Sequence, residues 1–250
     1  DVLREHEWDH NASRTLSGPD VQLNAGFWEA ETPGGISRLG RYMREAGVTT
    51  PEPYRLREPE RLAGLGRGWA GVVVLCPFSA GIDREYSVFG WLAVERLLRE
   101  RGYRTVVLHR NPERYDPLVS PKLIGRPPEE VVGLLLNAAC VIGVDSGLPH
   151  LAAALGRPTL VLTGQTKGQQ VFDNYPSARW LSGELTCSGC YWKPPRDERV
   201  CAVQCASLQA ITPERVVHHV AEVTGGPEGA KMRAALAAVA AAPPPYPGGA

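Results

Sequence analysis

The chain has 250 residues, 43% hydrophobic and 22% charged, a globular composition with enough length to bury a sizeable core, which excludes a largely disordered chain. Its 27 basic residues balance its 27 acidic ones and the sequence pI is about 7.2, so no global field is present to hold nucleic acid or an anionic membrane. The longest apolar runs, 131–144 and 234–242, fall short of the roughly 18 residues a membrane-spanning helix needs, and no secretory signal opens the chain. These features predict a cytoplasmic protein with no membrane span and no nucleic-acid partner. The start at Asp1 rather than Met predicts that an upstream piece precedes it.

In chain order, the first 70 residues are broken by Pro33, Gly34, Gly35, Pro51, Pro53 and Pro59, with one good helical stretch over 36–46. From residue 72 the pattern alternates. Residues 72–76 form a short β-branched run that predicts a strand covered on both faces. A helix follows over 87–101, with Trp91, Val94 and Leu98 on its apolar side and Glu95, Arg96, Arg99 and Glu100 on its polar side, ended by Gly102. Then come a strand over 104–108, a helix over 128–138 opened by Pro127 and Pro128, and a strand over 141–144. A short helix over 148–155 and a strand over 158–162 complete the series. A closing helix over 212–223 has Thr212 as cap, Pro213 in its first turn, and Val216, Val217, Val220 and Val223 on one side. An Ala-rich helix over 229–242 runs into a Pro/Gly tail over 243–250.

Repeated βα units of this length predict an α/β fold with a doubly wound parallel sheet and right-handed crossovers. Ligands then belong at the carboxyl ends of the strands, where the loops 77–85, 109–113, 145–147 and 163–167 gather. The most informative of these turns is Asp145-Ser146-Gly147, followed by His150. Small residues there leave backbone N–H groups open at a helix start, where the helix dipole favours an anion such as a diphosphate. His150, one turn in, can donate to the same oxygens. The plainer alternative is that Asp145 and Ser146 only cap the helix and His150 is a core residue. Position favours the site, because a second loop of the same design, Cys76-Pro77-Phe78-Ser79-Ala80-Gly81, lies next to it.

Asp145-Ser146-Gly147-x-x-His150-Leu151-Ala152-Ala153-Ala154-Leu155-Gly156-x-Pro158-Thr159, followed by Leu162-Thr163-Gly164-Gln165-Thr166, resembles the donor-binding domain of family 9 glycosyltransferases, heptosyltransferase-like enzymes of GT-B fold. Residues 123–130 resemble that family's passage from a short strand into a helix, and 35–48 the last helix of its acceptor domain. The resemblance covers about 72–223. It implies three regions: 1–70 as a truncated or reduced amino-terminal acceptor part with the interdomain linker, 71–224 as the nucleotide-sugar donor domain, and 225–250 as an Ala/Pro-rich tail. It also implies that Asp145, Ser146, Gly147 and His150 hold the diphosphate and sugar of a nucleotide-sugar donor. Ser79 matches one of a hydroxyl-bearing pair near the phosphates, while Ala80 departs from the second. Arg84 lies near the family's basic residue, where its charge can serve the departing diphosphate without a catalytic metal, and Glu113 lies where an acidic residue takes ribose hydroxyls. The family's base is an aspartate near the start of the amino-terminal domain. Asp9 and Asp20 lack the flanking strand, and the catalytic base is left unassigned.

Six cysteines divide into two kinds. Cys76 and Cys140 sit singly in apolar runs and read as small hydrophobes. Cys187, Cys190, Cys201 and Cys205, within 185–207, form two knuckles with ligand-like spacing, suited to structural zinc or iron. Two disulfides compete with that reading, and the lack of a secretory signal favours metal. Autotransporter heptosyltransferases of the same family have a similar finger that binds iron and supports assembly into a ring, which implies a homo-oligomer. His218 and His219 read as surface, His109 as cleft lining or a strand end, and Lys167 as exposed.

The leading expectation is a glycosyltransferase that moves a heptose or related sugar from a nucleoside-diphosphate donor, ADP-heptose favoured, to a hydroxyl of a saccharide, protein or small-molecule acceptor. The alternative is a non-catalytic nucleotide-sugar-binding or scaffold subunit that lacks the base. A nucleotide-sugar epimerase of the same fold would need a carboxylate pair in the cleft, which the sequence does not show.

Overall fold

A computed structural model describes residues 16–17, 22–23, 62, 64–79, 81–109, 117–190, 204–227 and 229. Among them, Leu16–Ser17 pairs antiparallel with Gln22–Leu23. The rest is organised by one parallel sheet of six strands: β1 (Val73–Cys76), β2 (Thr105–His109), β3 (Lys122–Ile124), β4 (Cys140–Val144), β5 (Thr159–Leu162) and β6 (Ala178–Leu181). Their spatial order is β3-β2-β1-β4-β5-β6. The order reverses between β1 and β4, and in doubly wound sheets the crevice beyond the carboxyl ends at that reversal is where ligands bind.

Both faces of the sheet are covered, which is why its central strands read as unbroken apolar runs. On one face Val73, Leu75, Val107, Ile142 and Leu160 meet Trp91, Val94 and Leu98 of α1 (Val88–Glu100) and Val216, Val217 and Val220 of the closing helix Pro213–Thr224. On the other, Val74, Cys76, Val106, Leu108 and Val141 meet Leu134 and Leu135 of α2 (Pro128–Asn137) and Ala152 of α3 (Gly147–Ala154). The short α4 (Gly168–Phe172) and α5 (Ala206–Gln209) precede β6 and the closing helix, which is α6.

The strands and helices expected between residues 72 and 223 are present to within a residue or so at their ends. Thr212 caps α6 by accepting from the Arg215 amide, and Gly102 closes the α1 turn with a φ of 80°. Cys76 and Cys140 are buried as expected, and burial pushes the Cys76 thiol up, away from reactivity. Glu95 differs from expectation. Instead of facing solvent it is 2% exposed, because residues 118–120 cross α1 at that point and the Val119 and Ser120 amides donate to its carboxylate at 3.0 and 2.6 Å. Neither α4 nor β6 follows from the sequence pattern: α4 has five residues, and only Ala178 and Leu181 of β6 are buried. The helix expected over 36–46, most of that over 229–242 and the tail over 243–250 lie outside the described residues.

Candidate active site at the switch point

The site begins at Gly143, one residue before β4 ends. A Cβ there would lie 2.5 Å from Pro149 Cγ and 3.0 Å from Cys76 Cβ, so glycine is what allows α3 to start tight against the ends of β1 and β4. Asp145 and Ser146 make the turn, and α3 starts at Gly147, whose Cα faces open space. By helix geometry the amides of Ser146, Gly147 and Leu148 have no intrahelical acceptor, and Pro149 has no N–H at all. Ser146 occupies the cap position in an extended conformation without capping. Its hydroxyl oxygen is buried and has no hydrogen-bond partner among the described residues. A buried polar atom of this kind, beside orphan amides, is suited to an anionic ligand.

Asp145 is 9% exposed. His150 Nε2 lies 3.4 Å from its Oδ1, and Thr166, from the loop after β5, also hydrogen-bonds the carboxylate. Burial works against the charge of Asp145, but the hydrogen bonds from His150 and Thr166 and the electrostatic pull of His150 and Arg84 outweigh it and hold the carboxyl below the usual carboxylate value. The group is therefore ionised near neutrality, an acceptor for hydroxyl groups rather than a phosphate ligand.

The loop after β1 supplies the opposite wall. The Ser79 hydroxyl donates to the Gly81 carbonyl at 2.5 Å and accepts from the Gly81 amide at 3.1 Å, so it shapes its own loop. Arg84 ends a 3-10 turn over Ile82–Arg84 and reaches Asp145 electrostatically. Gln165 Nε2 donates to Asp83 Oδ2 at 2.7 Å and ties the loop after β5 to the loop after β1. His109 ends β2, 5% exposed, with Phe78 edge-on at 4.8 Å.

Of the residues singled out from sequence, the structure gathers Ser79, Arg84, Asp145, Ser146, Gly147 and His150 around the gap between β1 and β4. Glu113 and Ala80 lie outside the described residues. Thr166, Gln165 and Asp83 were not singled out. Thr166 and Gln165 belong to a quoted motif, whereas Asp83 had no signal beyond its place in a cleft loop.

The cysteine knuckle packs against the loop after β5. Cys190 N donates to Cys187 O at 3.1 Å within a tight turn, and Gly189 N donates to Gly164 O at 2.9 Å in the loop after β5. Cys205 is buried against the same glycine, since a Cβ on Gly164 would lie 2.5 Å from its Sγ. Cys201 lies outside the described residues, and among those described no group of three or more His, Cys, Asp or Glu is placed to hold a metal ion. No described helix is long and apolar enough to cross a membrane. His218 and His219 are surface side chains paired with Glu222 at 3.3 and 2.8 Å.

The chain is similar to known proteins in sequence and in fold. Over 110 residues the chain is 31% identical to the autotransporter heptosyltransferase Aah of Escherichia coli, a stretch that is 41% of this chain and 27% of Aah. Its fold matches the solved structure of E. coli ADP-heptose LPS heptosyltransferase II with a TM-score of 0.59 at 19% identity, covering 75% of this chain and 62% of that one. It matches the iron-containing dodecameric glycosyltransferase TibC from enterotoxigenic E. coli H10407 with a TM-score of 0.51 at 23% identity, over 62% of this chain and 46% of that one. The chain thus spans less than two thirds of the length of these relatives, and the two structures establish the fold as α/β of GT-B type. Residues 57–200, which include both loops of the switch point, match the model of glycosyltransferase family 9 (heptosyltransferase), and the chain belongs to that family.

Proposed function

We infer that this chain supplies the donor-binding part of a glycosyltransferase that moves a heptose or related sugar from a nucleoside diphosphate to an acceptor hydroxyl. In such a transfer the bond from the anomeric carbon to the diphosphate oxygen breaks, a new glycosidic C–O bond forms, and the acceptor proton leaves to a base. The chain's own groups serve the first event. The amides opening α3, the Ser146 hydroxyl and Arg84 offer positive potential to the diphosphate as its charge develops. Asp145, held ionised, accepts from sugar hydroxyls. The observation that carries this reading is the uncapped start of α3 at the strand-order reversal, with a buried hydroxyl left over.

ADP-heptose is the favoured donor because Aah is a heptosyltransferase and the LPS enzyme is named for ADP-heptose. Glu113 is assigned to the ribose hydroxyls on the resemblance alone. The base is assigned to no residue: Asp9 and Asp20 lack the flanking strand in the sequence, and both lie outside the described residues.

Structural iron or zinc on Cys187, Cys190, Cys201 and Cys205 is supported by the donor chemistry and by the gathering of Cys205 and the Cys187–Cys190 turn on Gly164. TibC, which contains iron and is dodecameric, supports iron and a homo-oligomer as the readings to test first.

Titration calorimetry of the full chain with ADP-heptose, UDP-sugars and GDP-sugars tests the donor. Binding of ADP-heptose, weakened about tenfold or more in Asp145→Ala through loss of charge-assisted hydrogen bonds, supports the reading. Absence of binding by every nucleotide sugar overturns it.

A further inference from the structure

Beyond α4 the chain makes a turn through Asp173-Asn174-Tyr175-Pro176-Ser177 before entering β6, and this turn is fixed at several points. The Tyr175 amide donates to Phe172 O at 3.0 Å, Ala178 N donates to Tyr175 O at 2.9 Å, and the Ser177 hydroxyl donates to Ala153 O near the end of α3 at 2.9 Å. Phe172 is fully buried with Ala153, Val161 and Ala178, so the turn has a rigid base.

That turn presents two aromatic rings to His150. Phe172 stacks on the imidazole with centroids 4.1 Å apart and planes 14° from parallel. The Tyr175 hydroxyl lies 3.3 Å from His150 Nδ1, with the rings 5.6 Å apart. At the other end of the imidazole, Nε2 faces Asp145 Oδ1 at 3.4 Å. Both ring nitrogens thus face protein groups. A neutral imidazole satisfies both at once when its proton is on Nε2, donated to Asp145, and Nδ1 accepts from the Tyr175 O–H.

The geometry points to Tyr175, with Phe172 as its stacking wall, as a positioning residue that fixes the tautomer and ring plane of His150 and, through it, the direction of the Asp145 carboxylate. Its ligand rests on the functional reading above: the hydroxyl-bearing sugar of a nucleotide-sugar donor, received by the carboxylate that His150 and Thr166 hold. His150 on this account acts on Asp145 and does not itself grip the diphosphate. An aligning partner of this kind resembles the outer groups that orient a metal-bound histidine, here applied to a carboxylate.

Two variants and two readouts test the assignment. In 15N-histidine-labelled protein, with the His150 signals identified by His150→Gln, Tyr175→Phe is expected to move the Nδ1 resonance toward that of an imidazole nitrogen that accepts no hydrogen bond. Nε2 is expected to keep its proton. The same variant is expected to weaken ADP-heptose binding about three- to tenfold, the loss of one neutral hydrogen bond, while the melting temperature changes little. Phe172→Leu keeps the hydroxyl but removes the stacked ring, and is expected to broaden or split the His150 ring signals. An unchanged Nδ1 resonance in Tyr175→Phe overturns the positioning role, and a moved resonance with unchanged affinity overturns its link to the donor. If the parent protein binds no nucleotide sugar, the functional reading falls, and the resonance in the unliganded protein still decides the role of Tyr175.

Discussion

Ser87 and Ser146 each stand directly before a helix that follows one of the two strands at the switch point. Ser87 is extended, its hydroxyl accepts from Gly90 N at 3.0 Å, and its own amide donates to Gln209 Oε1 at 2.8 Å. Gln209 also donates to Glu85 O at 2.9 Å, so the start of α1 is closed by side chains from two elements. Ser146 is extended too, but its hydroxyl caps nothing and is buried without a partner among the described residues. The same residue type at the same structural position serves a helix in one loop and is held in reserve in the other. Capping groups stabilise a fold by satisfying orphan amides, and a ligand site requires some of those amides to stay available.

The strongest way to break this contrast is to move α3 itself. Gly143→Ala places a Cβ against Pro149 and Cys76, and is expected to cost about 3 kcal/mol, at the upper end of overpacking, with a melting temperature lower by roughly 6–12 °C. Because the new methyl pushes the α3 start away from β1, ADP-heptose binding should fail even below the melting transition. Retained binding would show that the tight approach is not what forms the site.

Ser87→Ala is the next largest perturbation. It should lower stability by about 1 kcal/mol, a melting shift of roughly 2–4 °C, and leave donor affinity unchanged. Ser146→Ala should do the reverse, with stability within about 0.5 kcal/mol of the parent and donor affinity down about three- to tenfold. Thermal melts and calorimetry on the pair separate the two roles, and equal losses of stability in both variants would erase the distinction.

Much of the sheet was legible because its chemistry is local. The β-branched runs of β1, β2 and β4, the Pro127-Pro128 start of α2, and the Thr212-Pro213 cap of α6 each declare an element without reference to the rest of the chain. The Asp145-Ser146-Gly147 turn was legible for the same reason. What escaped was set by contacts distant in sequence. Glu95 looks like a surface glutamate on a helical wheel until residues 118–120 cross over it. Tyr175 carries no motif, and its relation to His150 exists only because β5 and the turn before β6 fold back beside α3. Asp83 acquires a role only when Gln165, 82 positions away, comes to meet it.

Among the described residues, β3 and β6 are the outermost strands of the sheet. They have three and four residues, and each carries a solvent-facing cation, Lys122 and Arg179. Unpaired backbone along a sheet margin invites a strand from another molecule, and brevity combined with outward positive charge discourages that addition. On that ground the described sheet margins are poor templates for pairing with a strand from a second molecule.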